Sequence, residues 1–209
     1  MTTREAYKGL HFGKPLALCS LISINKYDVN YCSNCGSSNI RYLIPEDDNR
    51  KRHVCGDCHR VHYTNPRVIV GCLPIWNQRI LLARRNIEPR KGLWNLPSGF
   101  LENGETVEEG ALRELNEETK ATGNIVRPHA IYNLPHANQV YIHFLVALNS
   151  DRVELTAESS EITFFAPEEV PFDDMAFSSS TFSIKKHMEF PDGPPAGIHV
   201  GTYHKKFDQ

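Results

Sequence analysis

Three glutamates with helical spacing are the first candidates for chemistry in this sequence. Glu114, Glu117 and Glu118 lie three and one residues apart, so an α-helix would place their carboxylates on one face within about one turn. Like charges at these spacings destabilise an isolated helix by roughly 0.2–0.5 kcal/mol per pair. A divalent cation with oxygen ligands would offset that repulsion. Taken alone, the three residues favour the alternative, a solvated acidic face, but the residues around them favour a metal site.

Four of the six cysteines form a second group with metal-binding spacing. Cys32 and Cys35 make one C-x-x-C pair, and Cys55 and Cys58 make another after nineteen intervening residues. This spacing is typical of a zinc ribbon, in which each pair contributes two thiolates to one ion. The segment has too few apolar residues for a core of its own, so the metal would supply its folding free energy. The pattern favours a reducing compartment over a disulfide framework.

The glutamates require a helix, and the residues before them predict where it begins. Thr106 and Glu109 have the spacing of a capping box, in which each side chain bonds the backbone of the other residue. The opposite face is apolar and can pack against a sheet. Its members are Val107, Ala111, Leu112 and Leu115.

Runs rich in β-branched and aromatic residues predict the sheet that carries this helix. The predicted strands cover residues 67–73, 79–84, 124–132, 139–148 and 161–166, with a hairpin tip at residues 77–78. Two short strands are predicted in the cysteine segment, at residues 41–44 and 52–54. A terminal helix is predicted over residues 176–190.

These elements divide the chain into four predicted parts. Residues 1–30 form a leader, compatible with an organelle transit peptide or with a loosely packed segment. Residues 31–63 form the zinc ribbon, and residues 66–190 form the main domain. Residues 191–209 are rich in Pro and Gly near their start and are predicted to be disordered or to lie along the surface.

Composition narrows the possible functions. The chain has 209 residues, 40% of them hydrophobic, and a net charge of -2, so no overall basic balance indicates nucleic acid as a partner. No apolar run approaches the 18 residues of a membrane span. The apolar stretch at residues 16–22 is too short for one and lacks a secretory cleavage site. We therefore expect a protein that is not secreted and is cytoplasmic or organellar, with a chloroplast or other plastid among the candidates.

With these residues in view, the stretch from Gly99 to Ala121 resembles the Nudix box, G-x5-E-x7-R-E-U-x-E-E-x-G-U, where U is a large aliphatic residue. The matching residues are Gly99, Glu105, Arg113, Glu114, Leu115, Glu117 and Glu118. Lys120 replaces the box glycine, and Ala121 replaces the last aliphatic residue. That glycine normally lets the chain leave the helix through a left-handed turn. We therefore predict that the helix runs past Lys120 and ends at Gly123.

The resemblance extends to residues 63–73, 85–89, 92–97 and 175–179, which are similar to the Nudix subgroup with an N-terminal zinc ribbon. That subgroup includes plant chloroplast enzymes that hydrolyse FAD and, less well, ADP-ribose. The resemblance implies an α/β fold, a Nudix α/β/α sandwich with a mixed sheet, preceded by a small zinc-ribbon domain. It also implies a homodimer, for which the ribbon would be a natural interface.

Site residues follow from the resemblance as expectations. Glu114, Glu117 and Glu118, with the Gly99 carbonyl, would hold catalytic Mg²⁺ or Mn²⁺, which would bind phosphate oxygens and activate water. Arg113 would pair with Glu105 and pin the loop to the helix. The general base in several relatives comes from a late loop. Its two candidates here, for which surface charge is an equal alternative, are Glu158 and Glu161.

Substrate binding is less well defined by the sequence. Guanidinium groups pair with phosphates, and the candidates for this role are Arg84, Arg85 and Arg90. Trp94 and Tyr141 are candidates to stack on a base, as are Tyr132, Phe164 and Phe177, although most aromatic side chains are core.

The function implied is hydrolysis of the pyrophosphate bond in a nucleoside diphosphate linked to X, with FAD or ADP-ribose as substrate and AMP as product. One alternative is an NADH pyrophosphatase. Another is a non-catalytic sensor of nucleotides, or a nucleic-acid-binding protein, on a Nudix scaffold. Degenerate members of that kind usually lose box glutamates, and this chain keeps them.

Overall fold

The computed structural model describes residues 29–194 and 197–205. The chain divides into two compact units, with the boundary between Thr64 and Asn65. The predictions for residues 1–28 lie outside the described residues. None of the helices in the described ranges is long and apolar enough to cross a membrane.

The first unit contains a three-stranded antiparallel sheet. Its strands, in spatial order, are β1 (Ile40–Leu43), β2 (Arg52–Cys55) and β3 (Val61–His62). The first two agree with the predicted strands to within one residue at each end. The third was missed, because two residues are too few to show a period of alternation.

The second unit is built on one mixed sheet whose main path runs β10-β5-β4-β9-β8-β11. Its strands are β4 (Arg67–Trp76), β5 (Arg79–Arg85), β6 (Trp94–Asn95), β7 (Ser98–Phe100), β8 (Gly123–Leu134), β9 (Gln139–Leu148), β10 (Ser159–Phe165) and β11 (His199–Thr202). The pairs β4–β9 and β8–β11 are parallel, and the other pairs are antiparallel. Two short strands lie off the main path, β6 beside β5 and β7 beside β4.

Two helices cover the two faces of this sheet. They are α1 (Val107–Thr119) and α2 (Ser178–Glu189). Val70 and Cys72 of β4 pack with Leu115 of α1, whereas Leu73 of the same strand packs with Ile184 of α2. Adjacent residues of β4 thus face opposite layers, as the period of two in a strand requires. The predicted α/β/α sandwich with a mixed sheet is confirmed.

The exit of α1 differs from the prediction. The helix ends at Thr119, and Lys120 adopts the left-handed conformation with φ 58°, so the prediction that the helix continues to Gly123 is wrong. The Lys120 amide donates to the Asn116 carbonyl and completes the turn. Gly123 instead begins β8, where a Cβ would lie 2.7 Å from the Ala147 carbonyl oxygen. Glycine is needed there because β9 comes close, not because the helix ends.

The tail also departs from the prediction. Within residues 191–209, His199–Thr202 form β11, which pairs in parallel with β8 and places His199 in the interior. At Gly201, a Cβ would lie 2.7 Å from the Phe182 ring and 2.8 Å from that of Tyr132. Four residues after a Pro/Gly-rich segment give no strand signal of their own. Their pairing depends on a strand more than sixty residues earlier.

Candidate active site

The N-terminal cap of α1 fixes where the helix starts and so sets the direction of its glutamates. The Glu109 amide donates to the Thr106 hydroxyl at 3.2 Å, and the Thr106 amide donates to the Glu109 carboxylate at 2.7 Å. This is the predicted capping box. Ala111 and Leu115 face the sheet. The opposite side of the helix therefore presents the glutamates, of which Glu114 and Glu118 lie against β7.

Glu118 is the buried member of the three, with 7% of its surface exposed. Burial, followed by the nearby Glu114 carboxylate, raises the Glu118 pKa to about 8. Burial also raises the Glu114 pKa. A buried carboxylate beside a half-buried one favours a cation as their partner. The donor set, all oxygen and acidic, is the kind that Mg²⁺ and Mn²⁺ take.

Gly99 completes the surroundings of these carboxylates. A Cβ at this position would collide with the Glu114 carboxylate group, so only glycine lets the strand backbone approach it. The neighbouring Ser98 backbone hydrogen-bonds Glu118 and opposes the rise of its pKa. The structure therefore brings the backbone around Gly99 against two of the three glutamates. This is the arrangement in which a backbone carbonyl could join a carboxylate set as a ligand.

Arg113 ties the loop before the helix to the helix itself. Its Nε and Nη2 donate to the two Glu105 carboxylate oxygens at 2.9 and 2.8 Å, and Nη2 also donates to the Phe100 carbonyl at 3.0 Å. Arg113 also donates to Glu114 and Glu117, at 2.7 and 3.0 Å. The Arg113 guanidinium lowers the Glu105 pKa to about 2. The predicted pairing of Arg113 with Glu105 is confirmed.

The two candidates for a general base occupy different positions. The Glu158 carboxylate contributes to raising the pKa of both Glu114 and Glu118, so it lies near them. Glu161 instead accepts a hydrogen bond from the Arg84 guanidinium at 3.2 Å. Of the two, only Glu158 lies near the box glutamates, whereas Glu161 is paired with Arg84.

The three candidate arginines differ as well. Arg84 donates to the Gly92 carbonyl at 2.7 Å, and its guanidinium lies 5.6 Å from the Trp94 ring centre. Arg90 is exposed in the loop between β5 and β6 and has a positive φ of 65°.

Of the three candidate arginines, Arg85 is the one whose charge acts on the box glutamates. Its positive charge acts to lower the pKa of Glu118 and of Tyr141. The same guanidinium lies 5.2 Å from the Phe177 ring centre. Arg85 therefore lies near the Glu118 carboxylate and near two aromatic side chains, Tyr141 and Phe177.

The aromatic candidates separate into core and site residues. Trp94 is buried and packs edge-on against Phe165, with ring centres 5.0 Å apart, so it serves the core. Tyr141 is also buried, which raises its pKa, yet it lies near two arginines, Arg85 and Arg67. Sequence reasoning missed Arg67 and Phe100, whose guanidinium and ring are 5.1 Å apart. No local pattern could have found them, since they meet across two strands.

The four cysteines of the first unit come together. Their sulfur atoms all lie within 4.8 Å of one another, with Cys32–Cys58 at 3.5 Å and Cys35–Cys55 at 3.6 Å. Tetrahedral zinc with bonds of about 2.3 Å requires sulfur atoms about 3.8 Å apart, so the cluster fits Zn²⁺. Its two halves are joined by Asp57, which accepts hydrogen bonds from Ser37 and Asn39.

The similarity to known proteins agrees with this geometry. Residues 65–184 match the family described as NUDIX domain, and residues 30–64 match the zinc-ribbon family described as Nudix N-terminal. The first match covers more than half of the chain. The chain belongs to the Nudix hydrolase family.

Relatives of this Nudix hydrolase include enzymes named for two different activities. It is 30% identical over 135 residues to the ADP-ribose pyrophosphatase of Methanocaldococcus jannaschii, covering 63% of this chain and 78% of the relative. It is 27% identical over 173 residues to the NAD-capped RNA hydrolase NudC of Vibrio parahaemolyticus, covering 78% of this chain but 62% of that enzyme. A part of the Vibrio enzyme therefore has no counterpart in the matched region.

A solved structure matches both units of this Nudix hydrolase over most of their length. The crystal structure of a NUDIX hydrolase from Nitrosomonas europaea is 42% identical, with a TM-score of 0.79. The match covers 85% of this chain and all of that one. The prediction of a Nudix hydrolase that carries a zinc ribbon is confirmed.

Proposed function

We propose that this Nudix pyrophosphohydrolase cleaves a nucleoside diphosphate linked to X, with ADP-ribose or FAD as substrate, and releases AMP. The observation that carries the proposal is the buried Glu118 carboxylate, flanked by Glu114, by the backbone at Ser98–Gly99 and by Arg85. This arrangement provides a cation site beside a cationic side chain, as a pyrophosphate requires. The name of the archaeal relative supports ADP-ribose, whereas FAD is supported by the sequence resemblance alone.

The roles of the residues follow from this arrangement. Mg²⁺ or Mn²⁺ held by Glu114, Glu117, Glu118 and the Gly99 carbonyl would neutralise phosphate charge and make a water molecule more acidic. Arg85 would hold a phosphate oxygen through its guanidinium. Glu158 would accept the proton of the attacking water while the bridging P–O bond breaks. Arg113 contacts the carboxylates of Glu114 and Glu117 and would act as a positioning residue.

A second candidate substrate is the dinucleotide NADH or an NAD cap. It is favoured by the relative named NAD-capped RNA hydrolase, which matches 78% of this chain. A non-catalytic role on a Nudix scaffold is less well supported, because every box glutamate is present. The NADH alternative is separated from the main proposal by which compound yields AMP, and the non-catalytic alternative by the absence of any nucleotide product.

The test is a substrate panel with the full-length protein and Mg²⁺. ADP-ribose, FAD, NADH and 8-oxo-dGTP are incubated in parallel, and nucleotide products are separated by chromatography. We expect AMP from ADP-ribose or FAD, and no AMP when Mg²⁺ is replaced by a chelator. If none of the four compounds yields a nucleotide product, the enzymatic proposal fails.

Two further proposals accompany the function. We propose a homodimer, which light scattering coupled to size exclusion would test by reporting twice the 23.8 kDa chain mass. A cytoplasmic or organellar location is supported by the four clustered thiols, which suit a reducing compartment. A fluorescent fusion of the full chain that entered the secretory pathway would contradict it.

A further inference from the structure

Three hydrogen-bonded side chains connect α2 to β7, the strand that lies against the glutamates. The Ser180 hydroxyl donates to Oδ1 of Asn95 at 2.7 Å. Nδ2 of Asn95 donates to the Ser98 hydroxyl at 3.3 Å, and that hydroxyl donates to the Leu96 carbonyl at 3.1 Å. Both hydroxyls and the amide therefore have partners. We refer to Ser180, Asn95 and Ser98 as the polar network.

The polar network lies among apolar side chains. Asn95 and Ser180 are each 1% exposed. Trp94 and Leu96, on either side of the asparagine, pack with Ile184 of α2. Polar groups buried in such surroundings cost free energy unless they are hydrogen-bonded, and a fully bonded network favours a single arrangement of the elements that it joins. The network thus fixes the position of β6 and β7 relative to α2.

The two faces of β7 meet different layers of the fold. Ser98 pairs with Gly71 of β4, and Gly99 pairs with Val70. Because Val70 faces α1, Gly71 and its partner Ser98 face the layer of α2. A Cβ at Gly71 would lie 2.5 Å from the Ser98 Cβ, so glycine leaves room for the serine there. Gly99 faces α1, where a Cβ would collide with the Glu114 carboxylate.

Ser98 therefore has contacts in both layers. Its hydroxyl is held by Asn95 on the side of α2, and its backbone hydrogen-bonds the Glu118 carboxylate on the side of α1. The backbone of the next residue, Gly99, lies against Glu114. Because a side chain and its own backbone move together, a change in the hydrogen bonding of the Ser98 hydroxyl would also move the backbone that contacts the carboxylates.

We propose that Asn95 and Ser180 are positioning residues for the cation site, because they hold Ser98 in the orientation that places its backbone against the box glutamates. Glu118 and Glu114 would then be oriented before Mg²⁺ or Mn²⁺ binds. Residues that orient metal ligands from outside the site change metal affinity or activity by about 10- to 100-fold. This inference rests on the proposed function, and it gives α2, which supplies no residue to the proposed mechanism, a role in activity.

The first test measures Mn²⁺ affinity without substrate, by electron paramagnetic resonance of free Mn²⁺, in wild type, Asn95→Leu and Ser180→Ala. Asn95→Leu keeps the approximate shape of the side chain and removes both of its polar groups, whereas Ser180→Ala removes one hydroxyl. Each variant should bind Mn²⁺ about tenfold more weakly than wild type. Thermal melting shows whether each variant is folded.

Ser183→Ala is the matched control for this test. Ser183 is also buried on α2, but its hydroxyl hydrogen-bonds Nδ1 of His143 and not the polar network. Its removal should lower the melting temperature, as Ser180→Ala does, and leave Mn²⁺ affinity unchanged. Unchanged affinity in both Asn95→Leu and Ser180→Ala, or an equal weakening by Ser183→Ala, would overturn the inference.

The second test needs neither metal nor substrate. Hydrogen exchange of the backbone amides of residues 98–100 is followed by NMR in the metal-free protein. Ser180→Ala should speed this exchange severalfold, and Ser183→Ala should not. Equal rates in wild type and Ser180→Ala would overturn the inference even if the enzyme were active. Faster exchange with weaker Mn²⁺ binding would support it even if no compound of the substrate panel were hydrolysed, and the proposed function alone would then fail.

Discussion

Glu118 is a buried carboxylate that lies near two others, Glu114 and Glu158. This arrangement disfavours the ionised form of its side chain. Burial, with smaller contributions from the two neighbouring carboxylates, raises the Glu118 pKa to about 8. Arg113 neutralises part of this charge, but it contacts Glu114 and Glu117 rather than Glu118. A cation at Glu118 would therefore remove a destabilising feature of the fold and create the catalytic centre with the same contact.

Glu117 provides the sharpest test of the ligand assignment. It is 55% exposed at its side chain, and its ion pair with Arg113 lies near the surface, so Glu117→Gln should change the free energy of unfolding by less than about 1 kcal/mol. Loss of one carboxylate ligand should lower kcat by about 100-fold or more. Steady-state rates and urea melts measure both quantities. Glu108→Gln, on the first turn of the same helix, is the matched control, and activity of Glu117→Gln within tenfold of wild type contradicts the assignment.

Glu158 and Glu161 form a natural pair for comparison. Because only Glu158 acts on the box carboxylates and Glu161 is engaged by Arg84, Glu158→Gln should reduce kcat by about 100-fold, the usual range for a general base. Glu161→Gln should reduce it by less than about tenfold. The pH dependence of kcat for each variant identifies the base, since its removal abolishes the acidic limb of the profile. A larger loss for Glu161→Gln would reverse the assignment.

The end of α1 shows how an element can keep its geometry with an unfavourable residue. Lys120 takes the left-handed conformation that the box glycine normally supplies. The helix cannot lengthen instead, because Thr119 and Ala121 are both buried on either side of the turn. The packing of the two neighbours thus imposes a conformation that costs a lysine about 1 kcal/mol.

Replacing Lys120 with glycine, but not with alanine, should therefore stabilise the protein. Lys120→Gly should raise the free energy of unfolding by about 1 kcal/mol, because glycine adopts a positive φ without steric cost. Lys120→Ala removes the same charge and side chain but keeps the Cβ, so it should give no such gain. Urea denaturation of the three proteins measures the difference. Equal stabilisation by glycine and alanine would show that the backbone conformation is not the cause.

The layer between the sheet and α2 holds four histidines contributed by three strands and the helix. His129 donates from Nε2 to the Ser183 carbonyl at 2.8 Å, which leaves Nδ1 unprotonated beside Arg127 at 3.4 Å. Burial lowers the His129 pKa to about 4 and the His143 pKa to about 3. His187 and His199 have lowered pKa values for the same reason. The charged groups that face them are Arg127 from β8, and Lys186 and Glu189 from α2.

This histidine layer predicts acid sensitivity in the second unit. The folded pKa values of these histidines lie below the ordinary 6.5, so the unfolded chain binds more protons at these positions. Their contribution to stability is complete above about pH 6.5 and is lost as pH falls toward about 4. His129 alone should account for on the order of 3 kcal/mol. Both tryptophans, Trp76 and Trp94, belong to this unit, so tryptophan fluorescence in urea at pH 7.5 to 4.5 isolates its unfolding.

A matched pair of variants assigns the effect to the layer. His187→Gln should flatten the dependence of the urea midpoint on pH, because it removes one of the groups that must be neutral in the folded state. His204→Gln, which is exposed and lies after β11, should leave the dependence unchanged. The raised pKa of Glu118 acts in the opposite direction, but it is common to the wild type and both variants. An equal change of the midpoint between pH 7 and pH 5 in the wild type and in His187→Gln would therefore contradict the prediction.

At the scale of the whole molecule, the chain combines two units that are stabilised in different ways. The second unit has an extensive core on both sides of its sheet. Among its described residues, 29–64, the first unit contributes two buried apolar residues, Cys32 and Cys55, which are themselves part of the thiol cluster. We therefore expect metal binding to supply most of the folding free energy of residues 29–64.

Metal removal should consequently unfold one unit and spare the other. We expect about one zinc per chain in freshly purified protein and none in Cys35→Ser, whose exposed thiol serves no core. Cys72→Ala removes a buried thiol outside the cluster and should retain zinc. Metal analysis, with hydrogen exchange of residues 29–64, measures both effects. The tryptophan-monitored transition of the second unit should survive chelation, and its loss would show that the units do not fold independently.

Local spacing made much of this architecture predictable. The face shared by the box glutamates, the capping box at Thr106 and the pairing of Arg113 with Glu105 all follow from distances of a few residues along one helix and its loop. The cysteine spacing likewise determines a four-sulfur cluster, because two tight turns suffice to build it. Strands β4 and β9 were predicted because each is long enough to show its own pattern.

Tertiary structure decided the features that depend on residues distant in sequence. The conformation of Lys120 is set by what Thr119 and Ala121 pack against, and β11 exists because β8 offers it an edge. Glu158 rather than Glu161 faces the box because of where β10 pairs with β5. Phe100 and Tyr141 share one face only because both pair with Ile69. The sequence determined the box glutamates and the helix that positions them, because both depend on local spacing. Strand pairing, a long-range property, determined which other side chains come together at the candidate site.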